Sequence, residues 1–122
     1  MAQVFVASKL GQEVNARNLG TTKMGTLKIP NRARFNVMRK KDNMIYEADM
    51  LLENDKTIIA EITTSRIDVK YIKETMGVWK ADIYWFISYK GFTKSAIKFA
   101  DECSNIILTT IDHLEHELRK TF

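Results

Sequence analysis

Three acidic residues, Glu47, Asp49 and Glu61, fall in two extended segments joined by one turn, and there chemistry could be concentrated. Met44 to Leu52 and Thr57 to Thr63 read as strands around a turn at Asn54-Asp55. On the first, Tyr46, Ala48, Met50 and Leu52 share a face, leaving Glu47, Asp49 and Leu51 on the other. On the second, Ile58, Ala60 and Ile62 share a face, leaving Thr57, Ile59, Glu61 and Thr63. The apolar faces coincide only if paired residue numbers sum to an even value. A loop centred on Asp55 gives a sum of 110, which sets Asp49 opposite Glu61 and Glu47 opposite Thr63. Carboxylates whose Cβ atoms lie roughly 4.5–5.5 Å apart repel one another. A hard divalent cation such as Mg²⁺ or Mn²⁺, held by one or two carboxylates plus water and substrate phosphate, would relieve that repulsion. The ordinary alternative is a solvated strand surface whose acids are hydrated or paired with Arg66, Lys70 or Lys73. The register alone leaves both open.

The elements around this hairpin follow from periodicity. Leu10, Val14 and Leu19 are loosely spaced like one helical face that Gly20 would end, and Gly20 to Thr26 has loop chemistry. Arg34 to Arg39 alternates as a first strand, with a turn at residues 40–43. After the hairpin, Ser65 or Asp68 can cap a helix to about Lys80 whose apolar face is Val69, Ile72, Met76 and Trp79. Ile83 to Tyr89 is apolar, β-branched and aromatic throughout, as in a strand covered on both sides. Thr93 caps a helix bearing Ala96, Ile97, Ala100 and Cys103. Ile106 to Thr110 is another buried strand, and Asp112 with Glu115 forms a capping-box arrangement for a last helix. Strands and helices in this order predict an α/β fold, a mixed central sheet of about five strands with flanking helices.

Charge divides the chain unevenly. Residues 1–41 carry nine Lys/Arg against one acid, whereas residues 42–122 carry ten against fourteen. The expected organisation is a single domain: a basic N-terminal arm (1–43) with a possible helix and first strand, then a core (44–122). Clustered positive charge is an electrostatic footprint for phosphate. Arg32, Arg34, Arg39, Lys40 and Lys41 are therefore the candidate nucleic-acid contacts. The bland reading of the same charge is a solubilising arm or a cap docked on the acidic remainder. No apolar run approaches the ~20 residues of a membrane span, so no membrane partner is expected. The first residues have no basic n-region or long apolar h-region, and Cys103 stands alone. A buried thiol in a reducing, cytoplasmic setting is the expectation.

The stretches Tyr46-Glu47-Ala48-Asp49-Met50-Leu51-Leu52 and Ile58-Ile59-Ala60-Glu61-Ile62-Thr63 resemble the core of the restriction-endonuclease-like, or PD-(D/E)XK, nuclease superfamily. The likeness is to its Mrr-like and Holliday-resolvase-like branches. Residues 81–100 and 105–108 resemble the second half of those domains, so the likeness spans about residues 44–118. It implies a metal-dependent nuclease or resolvase-like enzyme hydrolysing DNA phosphodiester bonds, with Asp49 and Glu61 as Mg²⁺ or Mn²⁺ ligands. Glu47 would be a further ligand, and Glu13 the only candidate for the acid that the family often carries on its first helix. It also implies a homodimer, so that both DNA strands are reached. The family's motif lysine falls at position 63, where this chain has Thr63. Lys70 or Lys73 from the next helix would then replace it, or Thr63 would serve with weaker catalysis, or the site would be silent. The silent case leaves a nucleic-acid-binding domain of the same fold, and beyond it a non-enzymatic interaction module.

Other groupings carry less. His113 and His116 stand three apart on the last helix without a matching Cys/His pair, which reads as surface histidines rather than a zinc site. Trp79, Tyr84, Trp85 and Tyr89 could stack bases, but their spacing fits packing better. No Walker or Rossmann glycine motif and no nucleophile elbow is present.

Overall fold

A computed structural model describes residues 2–19 and 25–121. The loop expected over Gly20–Met24 lies outside the described residues. The elements run α1 (Ala2–Ala7), β1 (Glu13–Asn15), β2 (Thr26–Lys28), β3 (Arg32–Lys41), β4 (Met44–Glu53), β5 (Thr57–Thr63) and α2 (Val69–Val78). They continue through β6 (Ile83–Ser88), α3 (Lys94–Glu102), β7 (Ile106–Thr110) and α4 (Ile111–Thr121). Strands β3 to β7 form one five-stranded sheet in sequence order, and β1 and β2 form a separate two-stranded sheet. The first three strands of the large sheet pair antiparallel, while β5–β6 and β6–β7 are parallel. Each parallel pair needs a crossover, and α2 and α3 supply them. The fold is thus mixed α/β with flanking helices, as the element order predicts.

The sheet is apolar on both faces because helices cover both. Met50, Leu52, Ile58, Ala60, Trp85 and Ile87 pack with Phe5 and Val6 of α1 and with Ile111 and Leu114 of α4. Leu51, Ile59, Tyr84, Phe86, Ile106 and Leu108 pack on the opposite face against Ile72 of α2 and Ala96 and Ala100 of α3. The continuous apolar run of β6 therefore feeds two cores at once. Its Trp85 indole donates to Thr109 Oγ1 at 2.8 Å, and that hydroxyl in turn donates to the Ala16 carbonyl. Trp79 and Tyr84 are likewise buried, with the Tyr84 hydroxyl donating to the Trp79 carbonyl at 2.6 Å. Tyr89 alone among these four aromatics is exposed.

Several local expectations change. The helix read through Leu10, Val14 and Leu19 does not form. The helix lies earlier, at Ala2–Ala7, and Val14 sits in β1 facing Leu27 of β2. Three-residue strands are too short to show a period, so the spacing misleads there. Val14, Ala16, Leu27 and Ile29 join the core beside α1, so residues before β3 pack onto the sheet. β3 extends to Lys41, and the turn is only Asp42-Asn43, both with positive φ. That is the backbone a two-residue hairpin turn demands, and Asn and Asp tolerate it. Asp112 lies inside α4 and not before it, because β7 runs directly into the helix at Ile111. In the first turn its charge still suits the positive helix end. Cys103, expected to be buried, is the half-buried C-cap of α3.

Asp68 precedes α2 without capping it through its side chain. Its carboxylate instead accepts from the Thr93 and Ser95 hydroxyls at the start of α3, at 2.7 and 2.9 Å. These bonds, together with one from the Val69 backbone, hold its pKa below the usual carboxylate value. Thr93 does cap α3, accepting from the Ala96 amide.

Candidate active site

The turn between β4 and β5 holds three residues, Asn54 to Lys56, and the register runs from Glu53↔Thr57 to Met50↔Ala60. Every pair sums to 110, the value that burial demands. Beyond Met50 the regular ladder ends. Ile62, which would next turn its amide toward β4, instead donates to the Asp49 carboxylate at 2.7 Å. The carboxylate takes the role of a backbone acceptor, and the two strands fork there. β4 continues paired to β3 alone, from Val37↔Ala48 to Lys41↔Met44. Asn36 and Asp49 are skipped in that ladder, and Asn36 has φ +55°. A left-handed residue inside a strand turns the pleat. The consequence corrects the parity reading of β4. Met50 and Leu52 face one core, but Ala48 belongs to the other, with Leu51.

Glu61 lies just past the fork, 6% exposed, on the face covered by α2. Its Oε2 accepts from the Tyr71 hydroxyl at 3.3 Å, while Oε1 is buried without a hydrogen-bond partner. Burial pushes its carboxyl up to about 8; the Asp49 charge adds to that, the Tyr71 hydrogen bond opposes it, and a contact with the Asp49 carboxyl that favours a shared proton and a smaller Glu47 repulsion raise it further. The Tyr71 phenol is itself raised, first by burial and then by the Glu61 and Asp49 charges. Its ring stands edge-on to Phe86 with centroids 6.0 Å apart, which fixes its direction.

A cleft of about 150 Å³ opens over Glu61 between β4 and α2. Helix α2 contributes Tyr71, Glu74, Thr75 and Val78 to it, and β4 contributes Tyr46 and Glu47. Those four helix positions follow the i, i+3, i+4, i+7 spacing of one face. Tyr71 and Glu74 were missed when the helix was read for its apolar face alone. The same spacing, searched for polar groups opposite Glu61, would have found them. A larger cleft of about 340 Å³ lies elsewhere, at the Asn54–Lys56 turn beside Gly11 and Pro30.

Residues 39–118 match the family model for restriction endonucleases of the Mrr catalytic type. The chain belongs to this restriction endonuclease family. The match takes in the fork, the cleft and every later strand. The crystal structure of a protein of unknown function, AF1548, is similar in fold, with a TM-score of 0.54 at 19% identity. The similarity covers 67% of this chain and 50% of that one, so this chain spans about half the length of that neighbour. No curated protein matches.

Within this restriction endonuclease domain the remaining sequence candidates are dispersed. Thr63 ends β5, and its hydroxyl accepts from the Ser65 amide at 3.1 Å. Lys73 rests over the Phe99 ring of α3, 5.1 Å from its centroid, which turns it away from the Glu61 cleft. Lys70 is exposed on α2 and is not among the cleft's lining residues. Glu13 is exposed on β1 opposite Lys28, apart from that cleft and from the charges that shift Glu61. Among the described residues no three His, Cys, Asp or Glu side chains gather into a complete ligand set. Arg32, Arg34, Arg39, Lys40 and Lys41 are all exposed along β3, and Arg34 is held by Glu53 at 2.7 Å. His113 bonds the Asn15 carbonyl at 2.7 Å, tying α4 to β1. No helix among the described residues is long and apolar enough to cross a membrane.

Proposed function

We propose that this domain is a divalent-metal-dependent nuclease that hydrolyses DNA phosphodiester bonds at the β4–β5 fork. The observation that carries the reading is the unpartnered, buried Oε1 of Glu61 beside the Asp49 carboxylate. A buried carboxylate oxygen without a partner is costly unless the group keeps its proton, as Glu61 does below about pH 8, or a cation takes the proton's place. Two carboxylates are also the number that Mg²⁺ or Mn²⁺ usually takes from protein, keeping its other positions for water and phosphate. Asp49 and Glu61 would hold the ion, with Glu47 and Glu74 at the cleft wall acting through their charge. When bound, such an ion polarises a phosphoryl oxygen and lowers the pKa of a bound water.

The chain's own residues prepare that site. Asp49 is oriented by the Ile62 amide and Glu61 by the Tyr71 hydroxyl, so neither carboxylate has to be ordered when an ion arrives. α2 and β4 wall the cleft over Glu61, and Asp49 stands at the fork beside it. Thr63 brings no charge, so Lys70 is the cation we assign to the developing phosphate charge. It lies on the exposed flank of α2, two residues before Ile72, and Lys73 would first have to leave Phe99.

A second reading has a specific observation behind it: no lysine lines the Glu61 cleft. A catalytically silent DNA-binding domain of the same fold fits that. Labelled duplex, branched and single-stranded DNA incubated with Mg²⁺ or Mn²⁺ separates the two. Cleavage by the wild type, abolished in both Asp49→Ala and Glu61→Ala, establishes the nuclease. Binding without cleavage under all these conditions establishes the silent domain. A homodimer that reaches both strands would show in the sedimentation of the active species.

A further inference from the structure

Next to the Glu61 cleft lies a second one on the same side of the hairpin, of about 280 Å³ and distinct from that at the Asn54–Lys56 turn, lined by Arg39, Lys41 and Lys80 with Gly77, Val78 and Trp79. Val78 and Trp79 line both clefts, and the sign of charge reverses across them: Glu47, Glu61 and Glu74 on one side, three cations on the other. No acidic residue lines the second cleft, and among the described residues none of its three cations is in a salt bridge. The fold builds this arrangement. Arg39 and Lys41 alternate on β3 and so share the face turned toward α2, and Arg39 pairs across the hairpin with Tyr46 of the acidic cleft. Lys41 Nζ donates to the Gly77 carbonyl at 2.5 Å, at the C-terminal end of α2, where the helix dipole favours a cation. Lys80 follows α2 directly.

We propose that Arg39, Lys41 and Lys80 form an anion subsite that holds a phosphate group of a nucleic-acid strand adjacent to the one over Asp49 and Glu61. Three cations in one cleft repel each other, and a phosphate offsets that repulsion. The Arg39 guanidinium offers the fork that phosphate oxygens accept bidentately. Cross-strand neighbours lie about 5 Å apart, so the Arg39–Tyr46 pair puts the cationic and acidic walls in reach of one strand. Lys80, which follows α2, lines the same cleft from the helix side. The proposal rests on the reading above only for the identity of the polymer.

The test measures binding without divalent metal, so that it is independent of cleavage. Fluorescent single-stranded and duplex oligonucleotides are titrated in EDTA at several salt concentrations, by anisotropy, against the wild type, Arg39→Ala, Lys80→Ala, Lys80→Arg and Lys98→Ala. Lys41 is left unchanged because it also ties the hairpin to α2. Each alanine variant in the cleft is expected to weaken binding roughly 3–10-fold and to reduce the log K against log salt slope by about 0.9 for duplex or about 0.7 for single strands. Lys80→Arg keeps most of the affinity, and Lys98→Ala, exposed on α3, leaves it unchanged. Wild-type affinity and slope in Arg39→Ala and Lys80→Ala overturn the subsite, even if the wild type cleaves DNA. Lost binding in those variants supports it, even if no cleavage is found. Inorganic phosphate titrated alone is the second arm: saturable binding with oligonucleotide affinity unaffected by the variants assigns the cleft to free phosphate and overturns the proposal.

Discussion

The two halves of β4 have different work. Residues 50–53 are paired on both edges, to β3 and to β5, and Met50, Leu51 and Leu52 are buried. Residues 44–48 are paired to β3 alone, and Met44 and Ile45 are 58% and 68% exposed. Asp49 stands at the boundary. The half with two partners is packed into the cores, and the half with one supplies a wall and an exposed rim for the cleft. The comparison teaches that the candidate site lies where regular pairing fails, which is where backbone groups and side chains become available for something other than the sheet.

The largest expected effect tests whether the fork stores unfavourable electrostatics. Glu61 has a folded pKa of about 8 against an ordinary 4.5. Its folded state therefore keeps a proton that the unfolded chain has lost between those values, and stability falls as pH rises through that window. Above about 8 the loss is complete, with an upper bound on the order of 5 kcal/mol from about 1.4 kcal/mol per unit. Glu61→Gln removes this titration while keeping an acceptor for Tyr71. Urea unfolding from pH 5 to 9 is expected to show the wild type losing stability relative to Glu61→Gln, and Mg²⁺ or Mn²⁺ restoring it only in the wild type. Parallel pH curves for the two proteins would remove the electrostatic account of the fork.

Next in size is the packing contrast itself. Leu52 is fully buried in the doubly paired half. Leu52→Ala is expected to lower unfolding free energy by about 2–5 kcal/mol. The measurement is urea denaturation at fixed pH, and a loss below about 1 kcal/mol would mean that this half does not carry the sheet.

Much of this division could be read from residue types, and the part that could not has a definite cause. The register sum of the β4–β5 hairpin follows from alternation, and β7 is legible as a short continuous apolar run, the mark of a strand covered on both faces. β1 and β2 are three residues each and leave no period to find. The rotation at Ala48 escaped parity because a single left-handed residue, Asn36, resets the face. The only trace of it in the chain is the residue type, since Asn is among the few that accept positive φ. Tyr71 and Glu74 escaped because polar residues on a helix default to solvent, and only the packing of α2 over Glu61 gives Tyr71 a partner and sets Glu74 at the cleft wall. Lys73 misled for the opposite reason, as its reach toward Phe99 is a tertiary choice.

Asn36 offers an intermediate effect that sharpens the comparison. Asn36→Val places a β-branched side chain at φ +55°, which costs about 1–2 kcal/mol. The larger consequence is local. Relaxing Asn36 to an extended backbone would return Ala48 to the face of Met50 and carry Tyr46 with it, out of the cleft wall beside α2. Denaturation is expected to show the modest loss, while metal-dependent cleavage falls far more than stability does. Equal, small losses in both would mean that the kink is incidental to the cleft.

The smallest expected effect lies at the hairpin rim, and its smallness is informative. Ile45 is the most exposed of the large apolar residues among those described, and it faces Lys40 across the strand pair. Ile45→Thr keeps β-branching and should change stability by no more than about 0.5 kcal/mol, as surface substitutions do. A loss above about 1.5 kcal/mol would show that the rim is packed against something in solution, and a second copy of this chain is the first candidate. Mass action then discriminates: a melting temperature that rises with protein concentration identifies the copy, since only association makes stability depend on it. A small loss with no concentration dependence leaves the rim free, as the proposed encounter with a nucleic-acid strand needs.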